Sequence, residues 1–320
     1  MVLNPLDRVL LGAWLDGQTQ SVHLLGASIG AWRMACACRP DAAAALREMA
    51  EDYIEQRYEH EPGRAPAPTH VSTVFSDALQ RRFGGREAEV LSHPRRRLHV
   101  FTSRGKGLLA RQGRVRTPLG YAGAFAANLL HRRAMGMILE RVVFSDTRDV
   151  LPLALQEYPT HRVPLNAQNL AASILASCSI PFWLDAVHDI AGAPRGAYWD
   201  GGITDYHLHL KYGRGPGPGL VLYPHFQKAV VPGWLDKGLK WRHRATAFLD
   251  RMVVLAPDPA WVRSLPNGKL PDRNDFIRYG NDLHGRIKAW STAAAESQRL
   301  ADEFGEWLDG GCGALDVRPL

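Results

Sequence analysis

The sequence predicts an α/β protein of three layers, with helices on both sides of a mainly parallel central sheet. Short apolar segments alternate along the chain with segments whose apolar residues recur at helical spacing. The 320 residues are 46% hydrophobic and 22% charged, which is ordinary composition for a globular protein. A chain of this size buries a large core without needing disulfide bonds or a structural metal ion.

The individual elements follow from periodicity, caps and turn residues. A first helix is expected at 5–16, because Leu6, Val9, Leu10 and Trp14 recur at helical spacing. Strands are predicted at 20–25, 97–103, 141–145, 161–165, 198–202, 220–223 and 252–255. Further helices are predicted at 31–38, 42–57, 166–176 and 275–308, the last being one helix or a pair. We expect a single domain over 1–320, with a C-terminal helical extension at about 272–310.

A Gly-x-Ser-x-Gly pattern at Gly26, Ser28 and Gly30 directly follows the first predicted strand. This pattern places a serine on a sharp strand-to-helix turn, with its hydroxyl above the sheet. Glycine is expected on both sides, because a side chain there would collide with the adjoining strand or helix. The helix dipole and the backbone N–H of Ile29 would support a developing oxyanion. The alternative is a tight strand–helix turn with an incidental serine.

A serine hydroxyl needs an adjacent base to become a nucleophile. One alternative is a Ser–Asp–His triad, for which histidines follow at positions 207, 209, 225, 243 and 284. An elbow at position 28 leaves no room for the strands that precede it in an ordinary α/β-hydrolase. The other alternative is a Ser–Asp dyad with Asp200, which precedes Gly201 and Gly202 at a predicted strand end. An Asp-Gly pair is also a common hairpin turn.

The order of these pieces resembles the patatin-like phospholipase family. The resemblance rests on the elbow at 26–30, the small-residue and proline segment at 171–182, and Tyr-Trp-Asp-Gly-Gly-Ile at 198–203. It covers about residues 6–225. It implies a lipid acyl hydrolase of the phospholipase A or esterase type, with Ser28 as acylated nucleophile and Asp200 as general base. The implied partner is a lipid or ester substrate, and no metal or organic cofactor is implied.

The sequence departs from the family ahead of the elbow. Patatin-like enzymes carry a glycine-rich oxyanion loop there, whereas this chain has only Gly12 and Gly17, and it begins in what should be the helix after that loop. Two hypotheses follow. An N-terminus assigned too late would have removed the first strand and the loop, and we favour this one. Otherwise the protein is a weak or inactive patatin-like scaffold that binds lipid or a protein partner through a basic region.

The net charge of +7 is concentrated in one segment. Residues 81–116 contain eleven Arg or Lys and two Glu. Such a segment would suit phosphate headgroups or nucleic acid, and the alternative is a solvated arginine-rich face. Only Phe83 and Phe101 lie among these charges, so nucleic acid is not expected as a partner.

Two further segments have alternative interpretations. His207, His209 and His225 would suit a metal ion by their spacing, but no carboxylate stands at a suitable distance, so no metal is expected. The segment 231–243 carries Trp234 and Trp241 near Lys and Arg. It is a candidate for peripheral membrane contact or for a packed lid.

The remaining features concern location. No apolar run is long enough to cross a bilayer, and the N-terminus lacks the features of a signal peptide. We therefore expect a cytoplasmic protein, with peripheral contact to a membrane surface as the second option. The sequence does not predict the oligomeric state. Reduced, buried thiols are expected at all the cysteines, namely Cys36, Cys38, Cys178 and Cys312.

We expect the 320-residue chain to be poorly active. Losing one oxyanion donor lowers the rate on the order of 100-fold or more. If in-frame codons upstream of Met1 encode the loop, a protein extended by them should recover that factor in esterase turnover. An extended protein with unchanged turnover would refute the late N-terminus.

Overall fold

Strands and helices alternate along the computed structural model, which describes residues 1–59, 65–212, 219–311 and 317–320. The strands are β1 (Val22–Ala27), β2 (Arg96–Gly105), β3 (Leu139–Ser145), β4 (Leu153–Ala154), β5 (Thr160–Pro164), β6 (Val187–His188), β7 (Ala197–Asp200), β8 (Lys211–Tyr212), β9 (Val221–Pro224) and β10 (Met252–Leu255). The helices are α1 (Asn4–Asp7), α2 (Ile29–Ala37), α3 (Ala42–Glu55), α4 (Pro68–Phe83), α5 (Glu87–Leu91), α6 (Arg116–Leu130), α7 (Leu170–Cys178), α8 (Gly202–Asp205), α9 (Pro259–Ser264), α10 (Asn274–Tyr279), α11 (Leu283–Glu296) and α12 (Gln298–Asp309).

Strand β2 organises a six-stranded sheet. Along one edge it pairs with β3, which continues to β5. Along the other edge it pairs with two strands in succession, β1 in parallel at residues 96–101 and β7 in antiparallel at residues 102–104. Since β1 and β7 run in opposite directions along the same edge, their carboxyl ends meet between Phe101 and Thr102.

The α/β class is confirmed, but the mainly parallel sheet is not. In the described part of the chain, β1–β2 and β3–β5 pair in parallel, whereas β2–β3, β2–β7 and β6–β7 pair in antiparallel. The sheet is therefore mixed. Alternation of strands and helices predicts layers, but a helical connection also joins antiparallel strands, as α6 does between β2 and β3. Two strands that we predicted, now β9 and β10, pair only with each other.

Both faces of the sheet are covered. Leu98 and Val100 face a large core beneath α2, α3, α4 and α7. Phe101 faces the opposite side, which is packed by side chains from irregular segments between β3 and β9. On that same side, Trp199 of β7 packs against Tyr121 of α6. The alternation of these contacts along β2 follows the two-residue period of a strand.

Most predicted helices are found with small shifts of their ends. Asp41 caps α3, since its side chain accepts a hydrogen bond from the Ala44 N–H at 2.8 Å. Residues Arg8–Trp14 of the predicted first helix form a π-helix. The predicted C-terminal helix is divided into α10, α11 and α12. We did not predict α4 or α6.

Many cations of the basic segment 81–116 form ion pairs within the fold. At least six of its cations contact carboxylates, including Arg96 with Asp16 and Arg104 with Glu140. Arg96 is 2% exposed, so the simple picture of a solvated arginine face is wrong for this side chain. The pairs of Arg96, Arg97 and Arg104 join β2 to neighbouring elements, and together the ion pairs leave fewer charges free for a partner.

Two further expectations concern cysteines and membrane spans. Cys36, Cys38 and Cys178 are buried and free, and burial raises the pKa of Cys36 and Cys38 to about 12, so these thiols stay protonated. Cys312 lies outside the described residues. Among the residues that the structure describes, no helix is long and apolar enough to cross a bilayer.

Candidate active site

Ser28 lies on a sharp turn between β1 and α2. Its backbone has φ 55° and ψ −139°, a conformation that residues with a Cβ rarely adopt. Such strain costs about 1–3 kcal/mol and persists only where the surroundings hold it. An added Cβ at Gly26 would lie 2.4 Å from Ala31 Cα, so the close approach of α2 to β1 requires glycine there. These are the features of a nucleophile elbow.

The second glycine of the pattern is not required in the way we expected. A Cβ added at Gly30 would meet no atom within 4 Å. The reason is that Gly30 already lies in the first turn of α2, where a side chain points away from β1. Sterically, only the glycine before the serine is needed for this turn.

The hydroxyl of Ser28 contacts the carboxylate of Asp200. Ser28 Oγ lies 2.6 Å from Asp200 Oδ2, across 172 positions of sequence. The meeting of β1 and β7 on β2 explains this contact, because Ser28 follows the last residue of β1 and Asp200 is the last residue of β7. Asp200 is 5% exposed, while Ser28 is partly exposed. A substrate carbonyl approaching from solvent can therefore reach the hydroxyl.

The two glycines after Asp200 serve different contacts. An added Cβ at Gly201 would lie 2.0 Å from the Phe101 carbonyl oxygen, so Gly201 allows the chain to pass close to β2. The N–H of Gly202 donates to Asp200 Oδ1 at 2.6 Å. Gly202 is also the first residue of α8, so the chain after Asp200 continues into a helix and not into a hairpin. Each carboxylate oxygen of Asp200 thus has one hydrogen-bond partner.

Helix α8 is itself held by a buried ion pair. Arg141 of β3 donates to both carboxylate oxygens of Asp205, at 2.7 and 2.5 Å, and both side chains are 1% exposed or less. Bidentate contact of this kind fixes orientation as well as distance. The four residues of α8 therefore cannot shift along β3, which holds the turn after Asp200 in place.

Ser177 ties the elbow to the rest of the site. Its hydroxyl oxygen accepts a hydrogen bond from the Ser28 N–H at 2.9 Å, and the same hydroxyl donates to the Phe101 carbonyl at 2.6 Å. Its own carbonyl accepts from the Gly201 N–H at 3.1 Å. One residue near the end of α7 therefore contacts the nucleophile, β2 and the turn after Asp200. We did not single out Ser177 from the sequence, where it is one of several small residues.

The buried environment changes the acidity of Asp200. Burial raises its pKa from the ordinary 3.8 to about 7. The hydrogen bonds from Ser28 and Gly202 and the positive charge of Arg273 act in the opposite direction and are weaker. A carboxylate with a pKa near 7 is a stronger base than an ordinary aspartate, yet it is still substantially ionised at neutral pH.

The start of α2 provides hydrogen-bond donors beside the serine. The first amides of a helix have no acceptor in a preceding turn, so the N–H groups of Ile29 and Gly30 are oriented toward the N-terminal side. The helix dipole favours negative charge at the same point. The expected contribution of the Ile29 amide to an oxyanion site is consistent with this placement and stays a prediction.

Four of the five histidines of the triad alternative, all but His284, have other partners. His207 Nδ1 contacts the Ala229 carbonyl, His209 Nε2 contacts Thr246, His225 Nδ1 contacts the Gln227 carbonyl and His243 Nε2 contacts the Asp236 carbonyl. Burial lowers the pKa of the first to about 2 and of the next two to about 4, so these three rings stay neutral. In the structure, the hydroxyl of the serine meets a carboxylate and not one of these four imidazoles.

The metal alternative rested on three of these same histidines. His207 and His225 do lie together, with ring centres 4.2 Å apart, but the third ring bonds to Thr246. Within the described ranges, no three His, Cys, Asp or Glu side chains are arranged to hold a metal ion.

Comparison of the sequence with models of known protein families and with curated proteins gives no match.

The first prediction from this geometry concerns Ser177. Replacing Ser177 with Ala leaves the Ser28 N–H without its acceptor, which should cost about 1–3 kcal/mol of folding free energy. Because the strained elbow loses a restraint, we expect kcat with an ester substrate to fall about 10-fold or more while KM changes little. Urea unfolding and steady-state kinetics measure the two effects.

Ser173→Ala is the matched control for this variant. Ser173 is equally buried on the same helix, but its hydroxyl bonds only to the Leu170 carbonyl of its own helix. We expect Ser173→Ala to retain kcat. Equal losses in the two variants would show that Ser177 has no special role at the elbow.

The second prediction follows from the raised pKa of Asp200. Only the ionised carboxylate accepts the serine proton, so kcat/KM for an ester should rise about tenfold per pH unit below pH 7 and level off above it. Asp200→Asn should abolish this dependence along with most of the activity. A pH profile whose midpoint lies near 4 would contradict the assignment.

The titration of Asp200 should also affect folding stability, which should fall with rising pH over the range in which the activity rises. Because the pKa of Asp200 is higher in the folded than in the unfolded state, folding binds a proton, and stability is lost as pH rises from about 4 to about 7. The amide side chain in the Asp200→Asn variant does not titrate. The stability of this variant relative to wild type should therefore grow over that interval by up to about 4 kcal/mol, measured by urea unfolding at each pH.

Proposed function

We propose that this protein is a lipid acyl hydrolase, of the phospholipase A or esterase type, that uses Ser28 and Asp200 as a dyad in the manner of patatin-like enzymes. The observation that carries the proposal is the 2.6 Å contact between Ser28 Oγ and Asp200 Oδ2, with the serine in the strained conformation of an elbow. No neighbouring imidazole is needed, because the raised pKa of Asp200 makes the carboxylate an adequate base.

The reaction begins with proton transfer. Asp200 accepts the hydroxyl proton as Ser28 Oγ attacks the ester carbonyl carbon, and the carbonyl oxygen becomes an oxyanion at the N-terminus of α2. The tetrahedral intermediate then expels the alkoxide, which takes the proton from Asp200. The products of this first half-reaction are the released alcohol and an acyl group bound to Ser28 Oγ.

The second half repeats these steps with water. Asp200 accepts a proton from a water molecule, whose oxygen attacks the acyl carbonyl. Collapse of the second tetrahedral intermediate breaks the bond to Ser28 Oγ, which recovers the proton from Asp200. The fatty acid leaves, and the dyad returns to its starting state.

Apolar side chains at the surface support an acyl substrate. Ile29, directly after the nucleophile, is 38% exposed, and Phe182, three residues beyond the Ser179 carbonyl that accepts the Asp200 N–H, is 56% exposed. Exposed large apolar side chains next to a reactive hydroxyl would contact a hydrocarbon chain in preference to a polar one.

The alternative is a patatin-like scaffold that binds lipid or a protein without hydrolysis. One observation favours it: the chain ahead of β1 is helical over Asn4–Asp7 and Arg8–Trp14, where the family enzymes carry the glycine-rich loop. In that case the elbow and Asp200 would be retained without a complete oxyanion site.

A fluorophosphonate probe distinguishes the two functions. The probe forms a covalent bond only with an activated serine, so we expect it to label the wild type at pH 8 and not to label Ser28→Ala. Asp200→Asn should lower the labelling rate about 100-fold or more, because the general base is lost. Mass spectrometry locates the adduct.

Two controls make the outcome specific. Ser264→Ala removes an exposed serine on α9 and should leave labelling unchanged, as should His225→Ala. Labelling that depends on His225 but not on Asp200 would favour the triad. A wild type that is folded but never labelled would favour the scaffold.

A further inference from the structure

Helix α6 turns an apolar face toward solvent. On its inner side, Tyr121 packs against Trp199 of the sheet. On its outer side and just ahead of it lie large apolar side chains that are 42% to 86% exposed, namely Val115, Leu119, Phe125, Leu129 and Leu130. A helix whose outer side faces only solvent carries polar residues on that side. A contiguous apolar surface of this kind marks an interaction site.

This surface is continuous with the dyad on one side. Phe182 packs edge-on against Tyr121 of α6, with ring centres 5.9 Å apart. Phe182 belongs to the turn after α7, in which the Ser179 carbonyl accepts the Asp200 N–H at 3.0 Å. Phe182 therefore connects α6 to the turn whose backbone bonds to Asp200.

Trp241 extends the surface at the other end of α6. The neighbouring Arg242 donates to the Asn128 carbonyl at 2.8 Å and also contacts Asp236, which is fully buried. These bonds hold the segment against the end of α6, and the indole of Trp241 is 64% exposed. We call the five apolar residues above, together with Phe182 and Trp241, the α6 face.

The surroundings of the α6 face are basic. Residues 90–139 contain ten Arg or Lys and neither Asp nor Glu. Some of these cations are used inside the fold, but Arg111 and Arg114 are exposed just ahead of α6 and Arg133 is exposed just after it. Lys240 is exposed beside Trp241. Positive charge therefore flanks the apolar face at both of its ends.

We propose that the α6 face binds an anionic phospholipid surface, with α6 lying in the plane of the headgroups. An apolar helix face flanked by basic residues matches such a surface, since acyl chains meet the apolar side chains and the headgroups meet the cations. Tryptophan at the rim suits the boundary between headgroups and hydrocarbon.

A second copy of the chain is a poorer match for the same face. Both ends of α6 are basic, so two α6 faces packed together would bring like charges into contact whether the helices ran parallel or antiparallel. Only the link to lipid hydrolysis rests on the proposed function, because binding to the surface does not require Ser28 to react.

Vesicle sedimentation tests the proposal. The full chain carrying Ser28→Ala, which leaves the lipid intact, should sediment with vesicles of phosphatidylcholine and phosphatidylglycerol in equal parts and much less with phosphatidylcholine alone. Adding Leu119→Asp should weaken the partition about tenfold or more. Replacing both Arg111 and Arg114 with Ala should weaken it roughly 30-fold, because each cation near the surface contributes about fivefold.

Ile277→Asp is the matched control. Ile277 is an apolar residue of α10 that is 64% exposed and lies outside the α6 face, so its replacement should leave vesicle binding unchanged. Circular dichroism verifies that each variant is folded. Equal binding by Leu119→Asp and Ile277→Asp, or no binding by the parent protein, would overturn the proposal.

Two further measurements separate the remaining outcomes. Light scattering that shows a dimer for the parent and a monomer for Leu119→Asp, without vesicle binding, would assign the face to a second copy and overturn the lipid surface. With Ser28 intact, the wild type and the control Ile277→Asp should hydrolyse a short soluble ester equally fast, since this reaction needs no vesicle surface. Vesicle binding without any ester hydrolysis would refute the proposed enzyme and leave the α6 face supported.

Discussion

The site depends on the meeting of two strand ends on one edge of β2. β1 runs parallel to β2 and β7 runs antiparallel to it, so the residues that follow or end these strands, Ser28 and Asp200, are brought to one point. The separation of 172 positions is closed by backbone pairing and not by flexible loops. A site built on strand ends is positioned as precisely as the sheet itself, which suits chemistry that needs near-contact distances.

The same arrangement is unfavourable for each residue taken alone. Ser28 has a strained backbone, and Asp200 is a buried carboxylate, so that burial disfavours its ionised form. The surroundings offset both costs. Ser177 holds the Ser28 amide, Gly202 donates to Asp200, and the ion pair of Arg141 with Asp205 fixes the helix that follows. Local instability held by rigid neighbours is typical of functional sites.

Charge is divided between the interior and the surface. In the segment 81–116, several arginines pair with carboxylates of other elements. Arg82 joins α4 to α3, Arg97 joins β2 to the segment after β3, and Arg104 joins β2 to β3. Two cations of the segment that remain exposed, Arg111 and Arg114, lie just ahead of α6, near its apolar face. The cations behind the net charge of +7 therefore fall into two groups. Some form ion pairs within the fold, and others lie on the surface that we propose meets anionic headgroups.

Local patterns in the sequence determined the α/β class, the elbow and the two residues, Ser28 and Asp200, that lie in contact. The elbow was predictable because a strained turn and a close chain approach demand particular small residues. Strand direction, the role of Ser177 and the outward apolar face of α6 were decided only by the tertiary structure. Alternating elements do not specify which edge of β2 a strand joins, and an apolar stripe on a helix does not reveal which side is buried. Those choices depend on long-range pairing, which residues adjacent in sequence do not encode.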